Sequence, residues 1–149
     1  MGDDEDYLRL DLQVCFPLYA ASNLLGRLYR PVLAPLGLTY PQYLVMLVLW
    51  QEAPQSVSAL GDRLHLDSGT LTPLLKRMEN AGLVTRTRDA ADERRVLIGL
   101  TEQGVALRQA ARDVPATLAS GLSLSSQELA DLRASVQHLV AVLAHPGTT

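Results

Sequence analysis

Between Ser56 and Thr101 the hydrophobic pattern changes period within a few residues, from the three-and-four spacing of helices to the alternation of strands. Leu60 and Leu64 mark one face of a short helix, which the hydroxyl of Ser56 or Ser58 can cap. His65-Leu66-Asp67 reads as a turn, Asp67 and Ser68 as the start of a second helix, and Gly82 as its end. Inside that second helix Leu71, Leu74, Leu75 and Met78 recur at i, i+3, i+4 and i+7 and predict a buried stripe, leaving Ser68, Thr70, Thr72, Lys76 and Arg77 outside. Pro73 removes one backbone bond there and predicts a bend. Leu83 to Arg88 then alternates, with Val84, Arg86 and Arg88 on one face and Leu83, Thr85 and Thr87 on the other. Val96, Ile98 and Leu100 alternate in a return strand, and the polar run Asp89 to Arg95 joins the two. Two helices, a tight turn and a two-stranded ribbon in this order define a winged helix-turn-helix. The expected fold class is mainly α with a small two-stranded β wing (α+β).

Such a unit places one helix in a DNA groove. A polar outer face is the rule for any surface helix, so Ser68, Thr70, Thr72, Lys76 and Arg77 decide nothing alone. The basic ribbon beside them adds the second element: Arg86 lies on its strand, and Arg94 at its tip suits a narrow minor groove. Hydroxyls near a helix start and cations further along suit base edges and phosphates. The formal net charge of −3 argues against a protein that coats nucleic acid indiscriminately, but the charge is uneven. Residues 1–55 carry 3 basic and 6 acidic side chains, residues 56–100 carry 7 and 6, and residues 101–149 carry 3 and 4. The winged segment alone has a positive balance, which is sufficient for a local DNA-binding surface.

The flanks read as helices. Residues 1–6 are expected to be without order. Leu8, Leu12, Phe16 and Tyr19 open a helical pattern continued by Leu25, Leu28, Val32 and Leu36, and Pro17 sets the regular start near Val14 or Cys15. Pro35 and Gly37 end this helix. Thr39 and Gln42 form a capping pair for a second, apolar helix from Gln42 to about Glu52. Thr101 caps a helix that Pro115 and Gly121 are expected to interrupt, and Ser125 with Glu128 forms a capping box for the last helix. There Leu129, Leu132, Val136, Leu139 and Leu143 make a narrow seam suited to another helix. The chain is expected to be a single domain over residues 1–149, with a winged lobe at 39–101 and a helical dimerisation layer from 1–36 and 102–149. A two-fold dimer spaces two recognition helices about one DNA turn apart on a palindromic operator.

The stretch LDSGTLTPLLKRMENAGLVTRTRDAADERRVLIGLTEQG (66–104) resembles the DNA-binding core of the MarR family of bacterial regulators, and Asp92-Glu93-Arg94 matches that family's wing-tip D-x-R. LTYPQYLVMLVLW (38–50) and LQVCFPLY (12–19) resemble one branch of it, the organic-hydroperoxide regulators called OhrR. The resemblance covers almost everything after the first ten residues. It implies a homodimeric repressor that binds double-stranded DNA and leaves it on oxidation; His65, His138 and His145 have no ligand spacing with the single cysteine, so no metal or cofactor is expected. It also implies that Cys15 is the peroxide sensor, that Tyr29 and Tyr40 hydrogen-bond it from the partner subunit, and that Tyr19 lines the site.

The residues themselves support part of this. Cys15 is the only cysteine, and a lone cysteine is ordinarily a small buried hydrophobe. Close to a helix N-terminus, however, partial positive charge favours a thiolate, and Tyr19 lies one turn on. Tyr29 follows 14 residues later, about 21 Å along a continuous helix, so it cannot reach its own Cys15, whereas an antiparallel neighbour's Tyr29 could. With no second cysteine, an oxidised Cys15 must meet an external thiol, close on a backbone nitrogen or over-oxidise, and a mixed disulfide is expected where a low-molecular-weight thiol is present. Two other functions fit the same residues. One is a MarR-type repressor released by a small apolar or phenolic ligand, with Cys15 structural; the other is a thiol peroxidase, which the absence of a resolving cysteine disfavours. No apolar run is long enough to span a bilayer and the N-terminus is acidic, so no membrane association and a cytoplasmic location are expected.

Overall fold

The computed structural model describes residues 7–145, so the expectation for residues 1–6 lies outside the described residues. Two compact units divide the chain, Met1–Val114 and Pro115–Thr149.

The first unit opens with a single 3-10 turn, Leu10–Leu12, not with the helical run that Leu8 and Leu12 predict. The Gln13 amide donates to the carbonyls of Tyr7 and Arg9, and Pro17 explains why no α-helix passes through. In a helix interior its ring would collide with the carbonyl of residue 13. Helix α1 therefore runs Cys15–Leu33, with Pro17 in its first turn, where backbone N–H groups have no helical partner anyway. Only Leu33 on α1 is buried; Phe16, Tyr19, Leu24 and Leu25 are exposed. A 3-10 turn, Ala34–Leu36, and Gly37 at φ 69° bend the chain by 64° into the next helix. Helix α2, Tyr40–Gln51, starts two residues before the expected Gln42, because Thr39 is the cap: it accepts from the Gln42 N–H, and the Gln42 side chain accepts from the Thr39 N–H. Tyr43, Val45, Met46, Val48 and Leu49 make α2 the centre of the core.

A short strand β1, Gln55–Ser56, precedes helix α3, Val57–Leu64, which Ser56 caps through the Ala59 N–H. Helix α4, Ser68–Asn80, runs unbroken through Pro73 and buries the expected Leu71, Leu74, Leu75 and Met78. At its end Gly82 adopts φ 79° while its N–H donates to Glu79 and that of Leu83 to Met78, a turn that only a left-handed residue completes. Leu83 is buried in that turn, one residue before the next strand begins.

Strands β2, Val84–Arg88, and β3, Val96–Leu100, pair antiparallel with Arg86 opposite Ile98. The two-stranded wing needs correction: β1 adds on the far side of β3, giving a three-stranded sheet in the order β1-β3-β2. Helix α5, Glu102–Ala111, is capped by Thr101, whose hydroxyl also donates to the Gly82 carbonyl. The Trp50 indole donates to the Gly104 carbonyl at 2.9 Å, tying α5 to α2.

Helix α6, Val114–Gly121, begins at the last residue of the first unit, and the second unit holds the rest of it and α7, Ser126–Ala144. The helix that follows Thr101 is interrupted at residues 112–113, just before Pro115, as the sequence suggested, and the next one ends at Gly121. Pro115 occupies the second position of α6, where its missing N–H costs nothing. The Ser125–Glu128 capping box is formed. Along α7 Leu132, Val136, Val140 and Leu143 are exposed. No single helix among the described residues is long and apolar enough to cross a membrane.

Candidate functional site

Asp67 starts α4 by accepting the Thr70 N–H at 2.7 Å, and that backbone bond holds its carboxyl below the usual carboxylate range. Ser68 and Thr70 therefore stand exposed at the N-terminal, partially positive end of the helix, and Lys76 and Arg77 stand exposed further along it. Thr72 is half-buried. The wing turn is built by its own aspartates. Asp89 accepts from the Ala91 N–H and Asp92 from the Arg94 N–H, while the Asp89 N–H closes the loop onto the Arg95 carbonyl. Arg94 projects from this tip with its side chain 92% exposed, braced by Asp92 at 3.3 Å. Arg86 differs: Glu79 of α4 lies 3.8 Å from it, and among the described residues its buried Nε has no hydrogen-bond partner.

Of the residues expected at a DNA surface, Thr72, Arg86 and Arg94 line one cleft of about 220 Å³ between the start of α3, α4 and the wing. Ser58 and Arg95 line it too, although sequence reasoning had not singled them out for DNA; only the pairing of β2 with β3 and the packing of α3 on α4 bring them in. Ser68, Thr70, Lys76 and Arg77 do not line it and lie along α4.

Cys15 is the first residue of α1 and is exposed, as is Tyr19 one turn on. Tyr29 and Tyr40 meet, with ring centroids 4.4 Å apart. Tyr43, which the sequence reading passed over, completes the group at 6.0 Å from Tyr29 and 6.5 Å from Tyr40. Its signal was the i, i+3 step from Tyr40 on α2. Burial, followed by the proximity of Tyr40 and Tyr43, pushes the Tyr29 phenol up to about 12, and burial also raises Tyr40 and Tyr43. The three phenols therefore stay protonated further into the alkaline range than an exposed tyrosine does. Helix α1 is continuous from Cys15 to Tyr29, so the cluster and the thiol of one chain stand about 21 Å apart along the helix. Beside Tyr40 opens a second cleft of about 510 Å³, walled by α1 and the start of α2.

A helix pair with a basic three-stranded wing, the recognition helix flanked by Arg86 and Arg94, defines a winged-helix DNA-binding regulator. The family described as transcriptional regulator SarA/Rot matches residues 27–110. The organic hydroperoxide resistance transcriptional regulator of Bacillus subtilis (strain 168) is 46% identical over 143 residues, 96% of this chain and 97% of that protein. Among solved structures, reduced AbfR bound to DNA superposes with a TM-score of 0.78 at 37% identity, covering 94% of this chain and 96% of the other. A cysteine-to-serine mutant of MarR from E. coli, complexed with operator DNA, gives 0.77 at 29% identity, covering 89% and 97%. The chain belongs to the SarA/Rot and MarR-type family of winged-helix transcriptional regulators. It is a DNA-binding transcriptional regulator close to the organic-hydroperoxide branch.

Proposed function

We propose that this regulator is a homodimeric repressor that holds a palindromic operator while reduced and releases it when an organic hydroperoxide oxidises Cys15. One observation carries the reading: an exposed thiol at the first residue of α1 and a cluster of tyrosines, Tyr29 and Tyr40 half-buried and Tyr43 buried, at the far end of the same uninterrupted helix. Two antiparallel copies of α1 bring each thiol to the other's Tyr29 and Tyr40. The exposed apolar side chains of α1 and of α7 are what a second copy covers.

In this arrangement the thiolate is the reacting form, and the partner's phenols donate hydrogen bonds to it. Its sulfur takes the terminal peroxide oxygen, the O–O bond breaks, and the alkoxide leaves and is protonated to the alcohol, giving a sulfenic acid. The lost thiolate–phenol bonds shift the dimer toward a form that fits DNA less well, by as much as the two forms differ in DNA affinity. On the DNA side Ser68, Thr70 and Thr72 face base edges, Lys76, Arg77 and Arg86 face phosphates, and Arg94 enters the minor groove.

The test is operator binding with and without cumene hydroperoxide for wild type and Cys15→Ser. Release by peroxide in wild type and none in Cys15→Ser is expected. A peroxide response that survives the substitution would sink the sensor, and release by an unreactive phenolic compound in both proteins would favour a ligand-gated regulator.

A further inference from the structure

The cleft beside Tyr40 takes no part in the proposed oxidation of Cys15. Ser22, Asn23, Arg27 and Arg30 form one wall on a single face of α1, and Thr39 and Tyr40 form the other. Arg27 and Arg30 are the only charged residues between Asp11 and Glu52. Both are exposed, and among the described residues neither has an ion-pair partner. Arg30 in the last turn of α1 also complements the helix dipole. That does not account for Arg27, nearly a turn earlier, or for a cleft with amide and hydroxyl donors and no carboxylate. Two guanidiniums one helical step apart, with those groups around them, form a receptor for a carboxylate. Tyr40 lines this cleft and also packs 4.4 Å from Tyr29, so the cleft adjoins the place assigned above to the partner's thiol.

We propose that this cleft recruits the resolving thiol, and that the thiol is a small one bearing a carboxylate. The proposal rests on the sensor reading. The thiol's carboxylate pairs with Arg27 and Arg30 of one protomer while its sulfur attacks Cys15 of the other. In that step the thiolate displaces the sulfenic hydroxyl, an S–S bond forms and the S–O bond breaks. The departing hydroxide combines with the proton released when the thiol ionised, giving water. The sulfenic sulfur is reduced and the incoming sulfur oxidised, so no further oxidant is needed, and the product is a mixed disulfide.

The experiment uses the full-length protein oxidised with one equivalent of cumene hydroperoxide, with the sulfenic acid counted by its dimedone adduct. Portions are then mixed with 3-mercaptopropionate, 2-mercaptoethanol or cysteamine at equal thiolate concentration, and the mixed disulfide is followed by intact mass. The anionic thiol is expected to react roughly tenfold or more faster than the cationic one, with the advantage shrinking as salt is added. Arg27→Gln with Arg30→Gln should bring the three thiols to the rate ratios they show toward a small uncharged disulfide, because thiolates differ in intrinsic nucleophilicity, without changing the rate of 2-mercaptoethanol, and lysine at both positions should keep the excess preference. Those intrinsic ratios in wild type, or an excess preference that survives both glutamines, overturn the proposal. So does dissociation of the double glutamine variant to monomer, because the arginines would then be pairing with the partner's carboxylates. If dimedone labels nothing after peroxide, the sensor reading itself fails and this inference fails with it.

Discussion

Tyr29 is the side chain through which folding, acid–base chemistry and the proposed switch meet. Its folded pKa of about 12 lies above the ordinary 10.0, so folding favours its protonated form. That stabilisation is complete below about pH 10 and disappears as pH rises toward 12. Thermal melts should therefore show a melting temperature falling across this window, with a shallower fall for Tyr29→Phe; identical profiles would contradict the burial assigned to this phenol. A second expectation concerns chemistry. Removing either donor by Tyr29→Phe or Tyr40→Phe deletes one charge-assisted hydrogen bond, worth about 1.5 kcal/mol, so peroxide oxidation of Cys15 at neutral pH should slow roughly tenfold. Stopped-flow oxidation rates matching wild type would remove these tyrosines from the mechanism. Reduced Tyr29→Phe and Tyr40→Phe should bind operator as wild type does, because neither residue is among those proposed to face DNA.

Among the elements, the wing and α5 make contrasting demands. The wing tip is braced by short-range bonds from Asp89 and Asp92, so Arg94 is free to be replaced. Arg94→Ala should weaken operator binding at unchanged melting temperature. Arg77→Ala should lower the salt slope of log K by about 0.9 for the phosphate contact it loses. Fluorescence anisotropy titrations at several salt concentrations decide both, and unchanged affinity in both variants would rule out the docking proposed here. Helix α5 is the opposite case. A Cβ at Gly104 would run into the backbone carbonyl of Leu83, and the Gly104 carbonyl already accepts from Trp50. Backbone cannot swing aside as a side chain can, so Gly104→Ala should destabilise by about 1–3 kcal/mol, the usual range for overpacking. Chemical denaturation of the variant at wild-type stability would show that α5 can shift at no cost.

For the whole molecule, the single cysteine limits what oxidation can produce. A disulfide between two Cys15 residues needs Cα atoms within about 7 Å, whereas the proposed dimer surrounds each thiol with the partner's phenols. Hydroperoxide together with a small thiol should therefore yield a mixed disulfide, release DNA and be reversed by dithiothreitol; peroxide in excess without thiol should carry Cys15 to an irreversible acid. Intact mass under denaturing, non-reducing conditions reads this directly. A protein found wholly as a Cys15–Cys15 linked dimer would refute the one-cysteine mechanism.

Helix caps, the buried stripe of α4, the left-handed Gly82 and the alternation of β2 and β3 were all legible in the sequence, because each depends on residues within one or two turns or strand steps. The separation of Cys15 from Tyr29 was legible for the same reason, since a helix has a fixed rise per residue. Pro17 marked the start of α1 by its missing N–H, but the non-helical course before it depended on which carbonyls Gln13 would take. Strand β1 left no trace because two residues have no period; it exists only where the chain passes β3. Tyr43 in the phenol cluster, Glu79 beside Arg86, Ser58 and Arg95 in the wing cleft, and the cleft of Arg27 and Arg30 all join residues from different elements, or an element and a loop. Local pattern determines elements, because hydrogen bonding and periodic burial act over a few residues. Which side chains share a site is decided by tertiary packing, which brings together residues that no spacing along the chain relates.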